Sequence, residues 1–338
     1  MDLDYITNDD TIIFSPKYNK PLNPILNIQS QYKKIIFSDW KLDNVLFEAY
    51  KNFNFRYDET TISYDETTIS YIPLLYFFGS NFNQPLANSL DNCTTLTLIR
   101  FSRIFNHRLD SSLNNCTALT HIVFGHHYDQ PLGNALNNCT ALTHIVFGNN
   151  FNKSLDNSLV VCTALTHIEF FNYFNQPLGS SLDNCTALTY IKFGSEFNQH
   201  LDNLLHNCTS LIHLGLGYYF NQKVEIPFNI RSMSLNSNIL SLIENLPSSI
   251  EELELGEYFN LELNDLPSTI KKITFAKRSP YERELNCLPY GLLILQLPWG
   301  YVKQIKNIPT SLTKLICSKN YPYINDFSGI IEKIDFYI

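Results

Sequence analysis

Residues 128–150 read YDQPLGNALNNCTALTHIVFGNN, and this stretch decides the fold. Its apolar positions are Tyr128, Leu132, Leu136, Cys139, Leu142, Ile145 and Phe147. Leu132, Leu136 and Cys139 follow i, i+4, i+7 spacing, which places them on one face of a short helix. From Leu142 the pattern becomes Leu-x-x-Ile-x-Phe, and the alternation of Ile145 and Phe147 reads as a strand. Gly148 closes that strand and Asn-rich residues turn the chain. The stretch predicts one unit made of a turn, a helical or irregular arc, and a short strand.

The unit recurs. Phe-Asn-Gln-Pro-Leu occurs at Phe82–Leu86 and Phe174–Leu178, with related copies opening at Phe105, Tyr128, Phe151, Phe197 and Phe220. Each copy starts 23 residues after the last, and Cys93, Cys116, Cys139, Cys162, Cys185 and Cys208 keep the same interval. One unit has too few apolar side chains to offset the ordering of its own backbone, so neighbours must stack. A fixed period of this length predicts a repeat solenoid, α/β or mostly β, with parallel strands joined by short helical or irregular arcs.

Beyond residue 220 the clock changes. Ile226-Pro227, Leu246-Pro247, Leu266-Pro267, Leu288-Pro289 and Ile308-Pro309 recur at 20, 20, 22 and 20 residues. They lead to strands such as Ile250-x-x-Leu253-x-Leu255 and Ile270-x-x-Ile273-x-Phe275, and Ile331-x-x-Ile334-x-Phe336 reads as a last strand. At the N-terminus, Ile13-Phe14 and Ile36-Phe37 are 23 apart, and Tyr18–Leu22 is a worn signature. The register breaks between Lys41 and Ile72, where Tyr-Asp-Glu-Thr-Thr-Ile-Ser occurs in tandem at Tyr57–Ser63 and Tyr64–Ser70. The tandem reads as a slippage duplication forming a surface loop. Three stretches of one continuous solenoid are expected: degenerate repeats over 1–78, regular 23-residue repeats over 79–222, and shorter Leu-Pro repeats over 223–338.

Composition narrows the function. The net charge of −8 argues against a nucleic-acid binder, which would carry a basic stripe. It also argues against adhesion to anionic membranes. No apolar run approaches the ~18 residues that cross a bilayer, and residues 1–10 have no secretory pattern. An intracellular protein is expected.

The Phe-Asn-Gln-Pro-Leu signature, with the later Leu-Pro-x-x-Ile-x-x-Leu-x-Leu units, resembles the FNIP repeat family over about residues 10–338. Those repeats are leucine-rich-repeat-like and abound in amoebae and the giant viruses that infect them. The resemblance implies a host-cytoplasmic viral protein that binds a host protein. Relatives often carry an N-terminal F-box that recruits ubiquitin-ligase components. Residues 1–75 offer no Leu-Pro-x-Glu-led helical bundle of that kind.

By leucine-rich-repeat geometry, two strand columns would face the concave side. One reads Leu98, His121, His144, His167, Tyr190, His213; the other reads Arg100, Val123, Val146, Glu169, Lys192, Gly215. Their chemistry varies over a uniform core, as a partner-reading face does. A histidine column can bind metal or sense pH, but no carboxylate column accompanies it to orient the rings. No metal or other cofactor is therefore expected. The cysteine column shares a face with leucines, which suits reduced, buried thiols. Asn92-Cys93-Thr94 and its copies match the glycosylation sequon as a by-product of the repeat. Nucleotide-binding, zinc-protease and serine-hydrolase motifs are absent. The sequence predicts a non-enzymatic scaffold that binds a protein through its strands. A ligase-linked recognition subunit and a structural, virion-associated repeat protein are the alternatives.

Overall fold

The computed structural model describes residues 5–8, 11–15, 18–20, 22, 33–37, 82–329, 331 and 333–337. The register break at 41–72, with its tandem heptapeptides, lies outside the described residues. The chain divides into two compact units, Met1–Leu165 and Thr166–Ile338.

In the first unit, β1 (Tyr5–Asn8) and β2 (Thr11–Phe14) form an antiparallel hairpin. Then β3 (Lys34–Phe37), β4 (Leu98–Arg100), β5 (His121–Val123) and β6 (His144–Val146) add in chain order, each parallel to its predecessor. The hairpin departs from the all-parallel expectation. Lys34 pairs with Leu98, so one coil step here spans 64 residues, 41 more than the usual 23. The signature keeps this register too: Asn83 N–H donates to Asn19 Oδ1 at 3.0 Å, and the Tyr18 and Phe82 rings stack at 6.2 Å. The stack therefore tolerates an insertion of that length between Phe37 and Phe82 without losing a coil.

In the second unit, β7 (His167–Glu169), β8 (Tyr190–Lys192), β9 (His213–Leu216), β10 (Ser232–Leu235), β11 (Glu252–Leu255), β12 (Lys272–Phe275), β13 (Ile294–Gln296), β14 (Lys314–Cys317) and β15 (Lys333–Phe336) pair in chain order, all parallel. Each unit is thus a solenoid of stacked coils, mostly β, with little helix.

Of the two expected forms of the arc, helical or irregular, the irregular one prevails in most coils. In the 23-residue repeats the arc is a chain of tight turns, as in Ser89 N–H to Leu86 O, Cys93 N–H to Leu90 O and Leu96 N–H to Cys93 O. The cause sits one residue after each signature leucine. Ala87, Asp110, Gly133, Asp156 and Gly179 all have positive φ, between 43° and 54°. A left-handed residue there ends any α-helical run at its start. The equivalent Asp202 has no such φ, and that arc alone among the described 23-residue repeats becomes α1 (Asp202–Asn207). A second short helix, α2 (Leu240–Glu244), precedes Leu246-Pro247. In the Leu-Pro coils the proline carbonyl accepts from the amide three residues on, as in Ile250 N–H to Pro247 O at 3.1 Å and Ile270 N–H to Pro267 O at 3.2 Å. Proline's fixed φ suits that tight entry into the strand.

Ladders of equivalent side chains hold the coils together. Phe82, Phe105, Tyr128 and Phe151 stack at 6.0–6.1 Å in the first unit; Phe174, Phe197 and Phe220 stack at 6.0 and 6.3 Å in the second. The signature Asn caps the next coil: Asn106 N–H donates to Asn83 Oδ1, and Asn198 N–H to Asn175 Oδ1. Each such bond satisfies a backbone donor that no strand reaches. The sequon asparagines do similar work, Asn115 and Asn138 donating to Asp91 O and Asn114 O. The cysteine column is buried and carries no disulfide. Burial, aided by the Asp91 charge, pushes the Cys93 thiol up to about 11, and burial alone raises Cys139 to about 11. These thiols stay protonated and act as small apolar side chains. Gly148 is fixed by proximity: a Cβ there would lie 1.8 Å from Gly125 O of the preceding coil.

Candidate functional site: the strand face

In β4, β5, β6, β8 and β13 the central residue is buried and its neighbours turn outward, whereas Glu169 in β7 and all of β9 are buried. Ile99, Ile122 and Ile145 are fully buried, whereas Leu98, Arg100, His121, Val123, His144 and Val146 are half-buried. Alternation along the pleat dictates this division. In the first unit the His121 and His144 rings stack at 4.3 Å with 11° between their planes.

The threonine before each histidine fixes its ring. Thr120 Oγ1 donates to Thr97 O at 2.8 Å, and Thr143 Oγ1 to Thr120 O at 3.0 Å. With those protons committed, the hydroxyl oxygens accept from His121 Nδ1 and His144 Nδ1, both at 2.8 Å. The hydrogen-bond network thus assigns the proton to Nδ1 in both rings. His126 and His127 are exposed on the turn after β5.

In the second unit His167 stacks on Tyr190 at 5.3 Å, and Tyr190 on His213 at 4.3 Å and 7°. Glu169 and Lys192 approach to 3.8 Å, and the Lys192 stem covers the place where Gly215 has no side chain. A Cβ on Gly215 would meet Lys192 Cγ at 2.6 Å. Burial raises the Tyr190 hydroxyl well above the usual tyrosine range, and Glu169 and Glu254 add to it.

His213 is the best-held member of the column. It is 8% exposed. Ser232 Oγ lies 2.9 Å from Nδ1 and Ser234 Oγ lies 3.1 Å from Nε2. Ser234 in turn donates to Glu254 Oε2 at 2.7 Å. With that proton spent, Ser234 accepts from Nε2–H, and Ser232 donates to Nδ1. A neutral ring satisfies every bond. Burial first, then the Lys192 and His167 charges, pushes the His213 pKa down to about 3.

A carboxylate therefore does orient one histidine, through Ser234, although none stands in the histidine column. Sequence reading misses Ser232, Ser234 and Glu254 because the coil length shortens at this point: Ser232 follows His213 by 19 residues. Among the described residues, no three His, Cys, Asp or Glu side chains converge as metal ligands do. No helix among them is long and apolar enough to cross a membrane.

Two family models match this chain. The BspA type leucine rich repeat region, six copies, covers residues 86–212, and the FNIP repeat covers residues 238–278. These matches place leucine-rich-repeat-like and FNIP repeats in those two stretches of the chain. The leucine-rich-repeat model falls on the coils that carry Phe-Asn-Gln-Pro-Leu, and the FNIP model on the Leu-Pro coils. No curated protein shows a significant sequence match. Similar solved structures include CroV588, described as a novel circular LRR protein, with 20% identity over 99% of this chain and a TM-score of 0.41. This FNIP-repeat chain spans 60% of the length of CroV588. The Listeria monocytogenes internalin InlF matches with 18% identity, 76% of this chain, 72% of its own and a TM-score of 0.45. The Drosophila Toll–Spatzle complex matches with 15% identity, 70% of this chain, 38% of its own and a TM-score of 0.45.

Proposed function

We propose that this protein is a non-enzymatic scaffold that binds a protein partner through the outward strand columns. One observation carries the reading: the inward isoleucines repeat from coil to coil, while the outward residues change from Leu98 and Arg100 to His121 and Val123, and again between β7 and β8, with β5 and β6 alone sharing theirs. Ile122 and Ile145 are identical and fully buried, as are Ile168 and Ile191. Beside the second pair the outward position changes from His167 to Tyr190, and the next from Glu169 to Lys192. The stack needs the inward set for stability. It places no such demand on the outward set, which is free to be chosen for recognition. Stacked His and Tyr rings offer rigid amphipathic area of the kind enriched at interfaces.

The test is affinity capture from host-cell lysate with the native protein and a variant carrying His121→Ala, His144→Ala, His167→Ala and Tyr190→Ala. A partner held by the native protein and lost by the variant supports the reading. Equal capture by both proteins, or capture by neither, contradicts it.

A further inference from the structure

A second surface of the later unit carries chemistry that the strand face does not use. With Tyr218 beside Tyr219, the turns closing β7, β9, β11 and β13 each present a large ring: Tyr173, Tyr219, Tyr258 and Trp299. Their exposures are 54%, 54%, 56% and 55%. The coils between them present Glu196, Asn238 and Arg278 at the same turn. An aromatic ring thus returns at every second coil along one rim of the sheet.

The spacing follows from the backbone. Tyr219 N–H donates to Ser195 O at 2.9 Å and Trp299 N–H to Lys277 O at 2.8 Å. Adjacent coils are hydrogen-bonded at the rim, so the step there is the strand spacing of about 4.8 Å, and two coils span about 10 Å. A polyproline II helix advances about 9 Å per three-residue turn and has no internal hydrogen bonds. Prolines at every third position would meet successive rings. Tyr hydroxyls and the Trp N–H could donate to the carbonyls that such a peptide leaves open.

Ring geometry favours proline over a flat sugar. Tyr218 meets Tyr219 edge-on at 4.8 Å and 71°, and meets Tyr258 at 4.8 Å and 52°. Rings packed at an angle leave a ridged surface whose exposed faces suit a pyrrolidine ring, whereas a pyranose wants a coplanar platform. Trp299 is steadied by Lys277, whose Nζ lies 5.3 Å from its ring and 4.9 Å from that of Tyr337. Charge complements the rings. Glu257 immediately precedes Tyr258 in its turn and Glu196 lies in the turn of the coil before Tyr219, and neither is in an ion pair among the described residues.

We infer that this rim binds a basic, proline-rich segment in the polyproline II conformation, with prolines on the exposed faces of Tyr219 and Tyr258 and a cationic side chain on Glu196 or Glu257. It shares with the strand-face reading only the expectation of a protein partner.

The test is calorimetric titration of the full chain with a synthetic peptide carrying proline at every third position and two arginines. Controls are the same peptide with alanine for every proline, and a soluble β-1,4-linked glucose hexamer. Saturable binding is expected. Tyr219→Ala with Tyr258→Ala should weaken it about tenfold or more, as interface tyrosines do. Glu196→Gln with Glu257→Gln should weaken it less and reduce its salt dependence. The strand-face variant should bind the peptide as the native protein does, so failure here leaves the strand-face reading standing. Absent binding, equal binding of the alanine peptide, or binding of the hexamer alone that Tyr219→Ala abolishes would each overturn the proposal.

Discussion

Ser234 Oγ bridges His213 Nε2 at 3.1 Å and Glu254 Oε2 at 2.7 Å, joining three successive coils by one side-chain chain of hydrogen bonds. The bridge stands where 23-residue coils give way to 20-residue ones. In the neutral ring Nε2–H donates to Ser234 and Ser232 donates to Nδ1.

Burial of that ring, with the Lys192 and His167 charges beside it, makes stability depend on acid. The folded pKa of His213 is about 3, against about 6.5 for a free histidine. The lowered value means that the unfolded chain takes up the proton first. Stability from this group is fully present above about pH 6.5 and is lost as pH falls towards 3. Between pH 7 and pH 4.5 the native protein should lose roughly 2–3 kcal/mol more than His213→Gln. Urea unfolding of both proteins at the two pH values checks this, and equal losses would show that His213 is already charged in the fold.

Backbone strain in the arcs predicts a gain. Ala87 has φ of 45°, where Gly133 and Gly179 occupy the equivalent place with 54° and 52°. Ala87→Gly should stabilise the protein by about 1 kcal/mol, and Gly133→Ala should destabilise it by a similar amount. Nothing lies within 4 Å of a Cβ built on Gly133, so the effect isolates backbone conformation from packing. Thermal unfolding midpoints of the two variants should move in opposite directions.

Tyr128 stands where neighbouring coils place phenylalanine. Its ring stacks between Phe105 and Phe151 at 6.1 Å on both sides, and its buried hydroxyl has no hydrogen-bond partner among the described residues. Burial holds that hydroxyl far above the usual tyrosine pKa. Tyr128→Phe keeps the ring and removes the stranded group, so it should stabilise by about 1–2 kcal/mol. A destabilised variant in chemical denaturation would mean that the hydroxyl is satisfied.

Thiol chemistry should single out one residue. Seven of the eight cysteines are buried and Cys287 is exposed. A maleimide probe should modify Cys287 quickly in the native protein and all eight after denaturation, read by intact mass. Rapid native labelling at Cys116 or Cys139 would contradict the packed ladder.

The solenoid is legible because its grammar is periodic: Phe82, Phe105 and Tyr128 fall into one aromatic column at the spacing the sequence counts. The strands follow from the same count, since Ile99, Ile122 and Ile145 sit in register. The arcs mislead because Leu132, Leu136 and Cys139 also fit a helix face, and the left-handed residue that decides the matter can be Ala87 or Asp110 as well as glycine. The histidine column is visible in the sequence. Its serine and glutamate partners are not, because side-chain bonds across a change of coil length leave no fixed interval to read. The rim rings escape notice for a related reason: their period is two coils, and Trp299 stands one residue out of step with Tyr258 in its turn.

The most direct measurement for the central claim is site-specific photo-crosslinking of the captured partner. The crosslinking residue would replace His144 on the strand face or, as control, exposed Asn134 in the arc. The account predicts a crosslinked complex from position 144 and none from position 134. A complex formed from position 134 alone would place recognition on the arcs and contradict a strand-face scaffold.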